Sequence, residues 1–217
     1  MSENIKKRVN TALILLIILF LMLINNFVLG YFLIIIGLIS ILEFNKIILI
    51  IFKRKKIKQI FFNFLFIIYI FLFSSIFLVL SSFLQQKVLI FILILTCIIS
   101  DIGGYTFGKF FKGKKLTKIS PNKTISGSIG SFLLSFIFLS LTVFYLTKNF
   151  DFINMIVVSF LTSLSCQLGD LFFSFLKRKS FLKDTGNILP GHGGILDRID
   201  GILLGVPTGF LILVAIY

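Results

Sequence analysis

The chain is poor in most of what a water-soluble enzyme uses. Charged residues fill only 14% of its 217 positions, and acids are scarcest, with 8 Asp and Glu against 22 Lys and Arg. A soluble domain carries roughly a quarter of its residues charged, so most of this chain is not built to face water. Its 2 cysteines, Cys97 and Cys166, lie inside apolar runs with no partner motif, so they read as small buried hydrophobes and say little about redox compartment. With a single histidine, His192, a second imidazole for a metal is missing, and that residue is expected to orient a loop or a phosphate. Tryptophan is absent, which a biased nucleotide composition explains without a functional cause. There is no internal repeat, no low-complexity tract and no soluble domain.

What fills the chain is hydrocarbon. Apolar residues make up 58% of it, and the mean hydropathy is +1.09. Several apolar runs reach the roughly 20 helical residues that cross a bilayer. The reading is an all-α polytopic integral membrane protein of about seven transmembrane helices. Runs are expected at 11–24, 27–44, 61–84, 88–108, 128–146, 152–176 and 195–217, with residues 46–58 an apolar stub leading into a basic cluster. The first run is not read as a cleaved signal, because no small-residue cleavage site follows Ile24. Residues 1–217 are taken as one transmembrane domain, with N-terminal helices of uncertain count over 1–95 and the catalytic helices and cytoplasmic loops over 96–217.

Charge sets the expected orientation. If the N-terminus is cytoplasmic and the spans alternate, all but Lys87 and Lys148 of the 22 Lys and Arg residues fall on the inside. That is the positive-inside pattern of an inner or plasma membrane protein. Membrane topology and contact with anionic lipid therefore explain the formal net charge of +14. Nucleic-acid binding is not expected, since the basic residues sit in short loops pinned to the membrane.

The acids cost more to explain. A carboxylate at membrane depth costs a few kcal/mol on insertion scales and marks function by default. Asp101 and Asp170 lie toward the ends of apolar runs, about 12 Å before Lys109 and about 10 Å before Lys177 at 1.5 Å per residue. Asp197 and Asp200 open the last span, three apart and so on one helix face. Between them, residues 174–200 hold five basic residues, three Asp, His192, four glycines and a proline. Carboxylates from separate helices suit a hard cation such as Mg²⁺, which takes the rest of its shell from water and substrate phosphates. Asp170, Ser174 and Lys177 fall on one helical stripe leading from acid to basic loop. Gly191, Gly193 and Gly194 free backbone N–H groups for an anion where a helix begins. The set points to phosphoryl or nucleotidyl chemistry at a membrane surface. Gly103, Gly104 and Gly108 could serve close helix packing or ligand approach, and the polar loop 120–130, with Lys123, Thr124 and Ser126, could cradle phosphate or cap the next helix.

Taken in order, Ser174, Lys177, Arg178, Lys183, Asp184, Gly186, Pro190, Gly191, His192, Gly193, Gly194, Asp197, Arg198 and Asp200 resemble the signature of the phosphatidate cytidylyltransferases, or CDP-diacylglycerol synthases. Gln167, Gly169 and Asp170 are similar to the same family. So are Asp101, Gly103 and Tyr105, and Ser120, Pro121, Lys123, Thr124 and Gly127. The resemblance runs from Asp101 to Asp200, while the first 95 residues match only in hydropathy. This chain departs at Phe173, where the family has an acid, at Asn122, where it has Lys, and at Ser126, where it has Glu.

The resemblance implies transfer of CMP from CTP to phosphatidic acid at the cytoplasmic side of the membrane. It implies Mg²⁺ on Asp170 and Asp197, with K⁺ as a companion cation in the family. Catalytic roles fall to Asp170, Asp197, Lys177, Arg178, Lys183 and Asp200. Substrate contacts fall to Asp101, Lys109, Ser120, Lys123, Thr124, Ser174, Gly191, His192, Gly193, Gly194 and Arg198. A homodimer is compatible with the family, but no interface is legible in the sequence. The nearest rival is a nucleotidyltransferase acting on a polyprenyl or ether lipid phosphate. An ion-coupled transporter is disfavoured because the outer half of each span is almost wholly Ile, Leu and Phe.

Overall fold

A computed structural model describes residues 3–117, 119–148, 151–191 and 193–216, with side chains from residue 9 onward. Within them the chain forms seven helices: α1 (Glu3–Ile24), α2 (Asn26–Ile51), α3 (Lys56–Ser81), α4 (Leu84–Phe111), α5 (Ile125–Thr147), α6 (Phe152–Lys179) and α7 (Leu196–Ile216). No β-strand occurs among the described residues, only the isolated bridges Lys115–Thr124 and Leu189–Gly193. Helices α2 to α7 are each long and apolar enough to cross a membrane, and α1 adds a shorter apolar stretch, Val9–Ile24. In a bilayer core a helix satisfies its own backbone polar groups, so an apolar chain of this kind has few alternatives. Large apolar side chains such as Leu16, Phe20, Leu38, Phe71, Leu141 and Leu211 point outward, as lipid-facing positions do.

Two expected boundaries move. Residues 46–51 are not a stub but the last turns of α2, because Lys46 interrupts the apolar pattern without breaking the helix. Gln85, Gln86 and Lys87 are not a turn either, since they form the first turn of α4. Lys87 is buried there, its Nζ donating to Asn26 Oδ1 at 2.6 Å. Of Asn25 and Asn26, the pair expected to turn between the first two runs, only Asn25 lies between helices, its side chain capping α2 by accepting from the Phe27 and Val28 N–H groups, while Asn26 is the first residue of α2.

The chain groups into two compact units, one of residues 1–88 and 176–199, the other of 89–175 and 200–217. The division falls inside α6, between Phe175 and Leu176, and inside α7, between Ile199 and Asp200.

In the first unit, α2 packs along α3 through Gly37 against Ile70 and through stacked rings of Phe44 and Phe66, with centroids 4.0 Å apart. Asn63 donates to Asn45 across the same contact at 2.8 Å. In the second unit, small residues bring backbones together. A Cβ on Gly103 would lie 2.5 Å from the Gly130 carbonyl oxygen, and one on Gly127 would lie 2.6 Å from that of Gly104. In α7, Gly201 packs on Cys166 of α6 and Gly205 on Cys97 of α4. Both cysteines are buried free thiols, as the sequence indicates. Gly103 and Gly104 thus serve close helix packing, which in lipid supplies the attraction that hydrophobic burial supplies in water.

Candidate active site

In the second unit the polar groups centre on Asp170 of α6. Its carboxylate pairs with Lys123, from the loop before α5, and accepts the Ser174 hydroxyl at 3.2 Å from one turn along α6. That turn-to-turn contact follows from the i, i+4 spacing. One turn before Asp170, Gln167 accepts from Ser128 at 2.6 Å and donates to Ser163 at 3.3 Å. Ser163 and Ser100 share a hydrogen bond of 2.7 Å, and Ser131 donates to the Ser100 carbonyl at 2.7 Å. Gln167, Ser163, Ser100 and Ser131 are all buried, so a connected polar ladder underlies Asp170. Such a network fixes geometry because each unmade bond in it would leave a desolvated group unpaired.

Lys123 is held by its loop. Leu116 N–H donates to the Lys123 carbonyl at 2.8 Å, and Lys123 N–H donates to the Ser120 carbonyl at 3.0 Å. Thr124 follows as the N-cap of α5, accepting from Gly127 N–H at 3.1 Å. Ser126 donates to the Lys112 carbonyl, tying the loop's two ends. Of the two roles open to Thr124, the structure shows the cap.

In the first unit the centre is Asp197, in the first turn of α7. Its Oδ1 accepts from Lys177 Nζ at 2.7 Å. Its Oδ2 accepts from the backbone N–H of Thr185 at 2.8 Å and of Gly194 at 2.9 Å. The Asp197 side chain is only 5% exposed, against 28% for Asp170. The two acids therefore differ in kind: Asp170 is held by side chains, Asp197 by two side chains and two backbone amides. Gly191 and Gly193 take φ of 77° and 82°, left-handed values that glycine adopts without strain. Gly194 has a different constraint, since a Cβ there would collide with Thr185 Oγ1 and lie 2.5 Å from both Glu43 carboxylate oxygens. With its N–H given to Asp197, Gly194 is a packing position.

Lys109, Arg178, Lys183 and Arg198 are exposed, with Lys109 lying over the Tyr105 ring at 5.7 Å. Lys177 and Arg178 belong to the last turn of α6 and not to the loop. Asp101 is exposed, 4.0 Å from the Cys166 thiol. Asp200 is buried and its Oδ1 accepts from Gly201 N–H at 2.8 Å. Ser120 is half-buried in the loop, and His192 lies outside the described residues.

Sequence reasoning missed two residues here, Glu43 and Thr185. Glu43 of α2 is 6% exposed and Thr185 1%. The signal for Glu43 was available, since an acid inside an apolar run carries the same cost that singled out Asp170. For Thr185 no local signal exists.

Among the described residues no three His, Cys, Asp or Glu side chains cluster as a metal site. A Mg²⁺ ion asks for less, one or two carboxylates with water and phosphate completing its shell. A carboxylate offers about four lone-pair positions, so Asp170, with Lys123 and Ser174 as its donors, retains room for a hard cation. Asp197 already faces four donors, Lys177 Nζ, the Thr185 N–H and hydroxyl and the Gly194 N–H, so it fits a cation only where Lys177 turns away from Oδ1.

Among the described residues the fold is that of a polytopic, all-helical membrane protein, with a lysine-paired carboxylate in each of its two units. A model of the cytidylyltransferase family matches residues 5–216, and the chain belongs to that family. It is 41% identical over 136 residues to a phosphatidate cytidylyltransferase of Rickettsia typhi, covering 58% of this chain and 59% of that protein. It is 41% identical over 117 residues to one from Staphylococcus haemolyticus, covering 54% of this chain and 45% of the relative. For the Mycobacterium leprae protein of the same name the figures are 41% over 115 residues, 52% and 36%. The chain thus spans about half the length of the curated relatives it matches.

Proposed function

We propose that the protein transfers the cytidylyl group of CTP to phosphatidic acid, forming CDP-diacylglycerol and releasing pyrophosphate. An oxygen of the lipid phosphate attacks the α-phosphorus of CTP, and the bond from that phosphorus to the bridging oxygen of the β-phosphate breaks. The observation that carries this reading is the pairing of motif acids with motif lysines, Lys123 with Asp170 and Lys177 with Asp197. A lysine paired with a carboxylate can turn to a phosphate oxygen when substrate arrives, and phosphoryl-type transfer depends mainly on such positioning and charge stabilisation. The relatives' printed activity and the family membership support the substrate class.

The order of motif residues in the sequence, not a measured distance, assigns Asp170 and Asp197 to Mg²⁺. When bound, that ion would neutralise charge on the pyrophosphate leaving group. Lys177, Arg178 and Lys183 bind phosphate oxygens in this scheme, and the backbone of Gly191 and Gly193 closes on them. The basic loops face the cytoplasm in the orientation that the lysine and arginine distribution favours, so CTP enters from water and the lipid from the leaflet. The test is the full-length protein in detergent with labelled CTP, Mg²⁺ and phosphatidic acid. Label in CDP-diacylglycerol is the expected result. Label that moves only to a polyprenyl or ether lipid phosphate would overturn the substrate assignment.

A further inference from the structure

Glu43 follows the long apolar stretch of α2 and is 6% exposed. Burying a carboxylate is unfavourable by several kcal/mol unless donors surround it. Here three do. The Thr185 hydroxyl donates to Oε2 at 2.7 Å, Leu196 N–H to Oε2 at 2.8 Å and Ile195 N–H to Oε1 at 3.1 Å. The two amides belong to the start of α7, where the first N–H groups of a helix lack intrahelical partners and the macrodipole favours negative charge. Glu43 is therefore a cap supplied to α7 from α2, far away in sequence. It approaches so closely that a Cβ on Gly186 or on Gly194 would lie 2.5 Å from its oxygens and displace the carboxylate from its donors.

The donors to Glu43 interleave with those to Asp197. The Thr185 hydroxyl lies between the two acids, 2.7 Å from Glu43 Oε2 and 3.1 Å from Asp197 Oδ2, and its N–H goes to Asp197. Gly194 gives its N–H to Asp197 while Ile195 and Leu196 give theirs to Glu43. Two carboxylates thus share one short piece of chain, and neither can shift alone. We propose that Glu43 is a positioning residue that clamps residues 185–196 from α2 and so fixes the carboxylate of Asp197. The proposal rests on the reading of Asp197 as a site acid. Removing the Glu43 charge leaves a buried hydroxyl and two buried amides facing an amide side chain that can accept for only part of them. Residues 185–196 must then loosen or admit water, and Asp197 loses its fixed orientation.

The test compares the full-length wild type with Glu43→Gln and Glu43→Asp in detergent. Amide hydrogen exchange over 185–197 is read against α3 as internal reference, and kcat, KM for CTP and the Mg²⁺ concentration for half-maximal turnover are measured. E43Q is expected to speed exchange over 185–197 by about tenfold with α3 unchanged. It is expected to lower kcat by about 10–100-fold, the usual cost of losing an outer partner of a metal-binding side chain, and to raise the Mg²⁺ requirement. E43D keeps the charge with a shorter reach and should recover part of each loss, which also keeps the set interpretable if E43Q does not fold. Wild-type exchange over 185–197 in E43Q would overturn the proposal. So would a lower unfolding midpoint with unchanged kcat and Mg²⁺ dependence per folded molecule, because Glu43 would then only hold the fold. If the wild type forms no CDP-diacylglycerol, the proposed function falls, while the exchange comparison still decides whether Glu43 orders this segment.

Discussion

Replacing Asp170 and Asp197 in turn by Asn separates catalysis from architecture, because the two acids are embedded so differently. The Asp170–Lys123 pair is part-exposed, with side chains 28% and 23% accessible. Pairs of that kind contribute about 0.2–1 kcal/mol, and an Asn at 170 can still accept from Ser174. Asp170→Asn should therefore abolish CDP-lipid formation while shifting stability by about 1 kcal/mol or less. Asp197 is 5% exposed and accepts from Lys177 and two backbone amides. An Asn there turns an NH₂ toward either Lys177 or those amides, and breaking one side of a buried pair costs about 3–5 kcal/mol. Asp197→Asn should lose turnover and also unfold at markedly lower temperature. Both variants are assayed with labelled CTP, Mg²⁺ and phosphatidic acid, and their unfolding is followed in the same detergent. Turnover retained by Asp170→Asn would refute its assignment to the metal. Equal stability of the two variants would refute the account of Asp197 as a backbone-anchored acid.

Further outcomes follow from the other contacts. Lys123→Met removes the cation paired with Asp170; if that cation meets a substrate phosphate as proposed, KM for CTP should rise while stability changes by about 1 kcal/mol or less, read by saturation kinetics and thermal unfolding. Gly130→Ala would drive a methyl into Phe107 and should cost about 1–3 kcal/mol of stability. Combining it with Phe107→Ala should restore part of the loss, as a double-mutant cycle would show. Thr124→Ala removes the α5 cap and should cost about 1 kcal/mol, visible as faster amide exchange in the first turn of α5.

The helices themselves were legible because in a membrane the signal is length and hydropathy alone. The break at Asn25 could be read for the same reason, since an amide pair interrupts two apolar runs there, but the contact of Asn26 with Lys87 could not. Boundaries at Lys46 and Lys87 were misplaced because a lone lysine within or beside an apolar run reads as an interface. The structure shows that Lys87 can instead be buried against Asn26. Asp170, Ser174 and Lys177 were placed on one stripe correctly, since helical spacing is a local property of α6. The partners of the acids were not legible, because Lys123 reaches Asp170 and Thr185 reaches Asp197 through chain folding, not through spacing.

By itself the sequence determined the class of protein, the helices and the residue types of the site, since these depend on composition and on periodicity along one chain. It also carried, over residues 101–200, the resemblance to the family whose model matches residues 5–216. Only the tertiary structure decided what each polar residue does. It made Gly194 a packing position, Thr124 a cap, and Asp197 an acid tied to backbone amides. Glu43 shows the reason most plainly. Its cost is local and visible in the sequence, but the hydroxyl and amides that offset it come from residues 185–196, and only folding brings donors from so far along the chain onto one carboxylate.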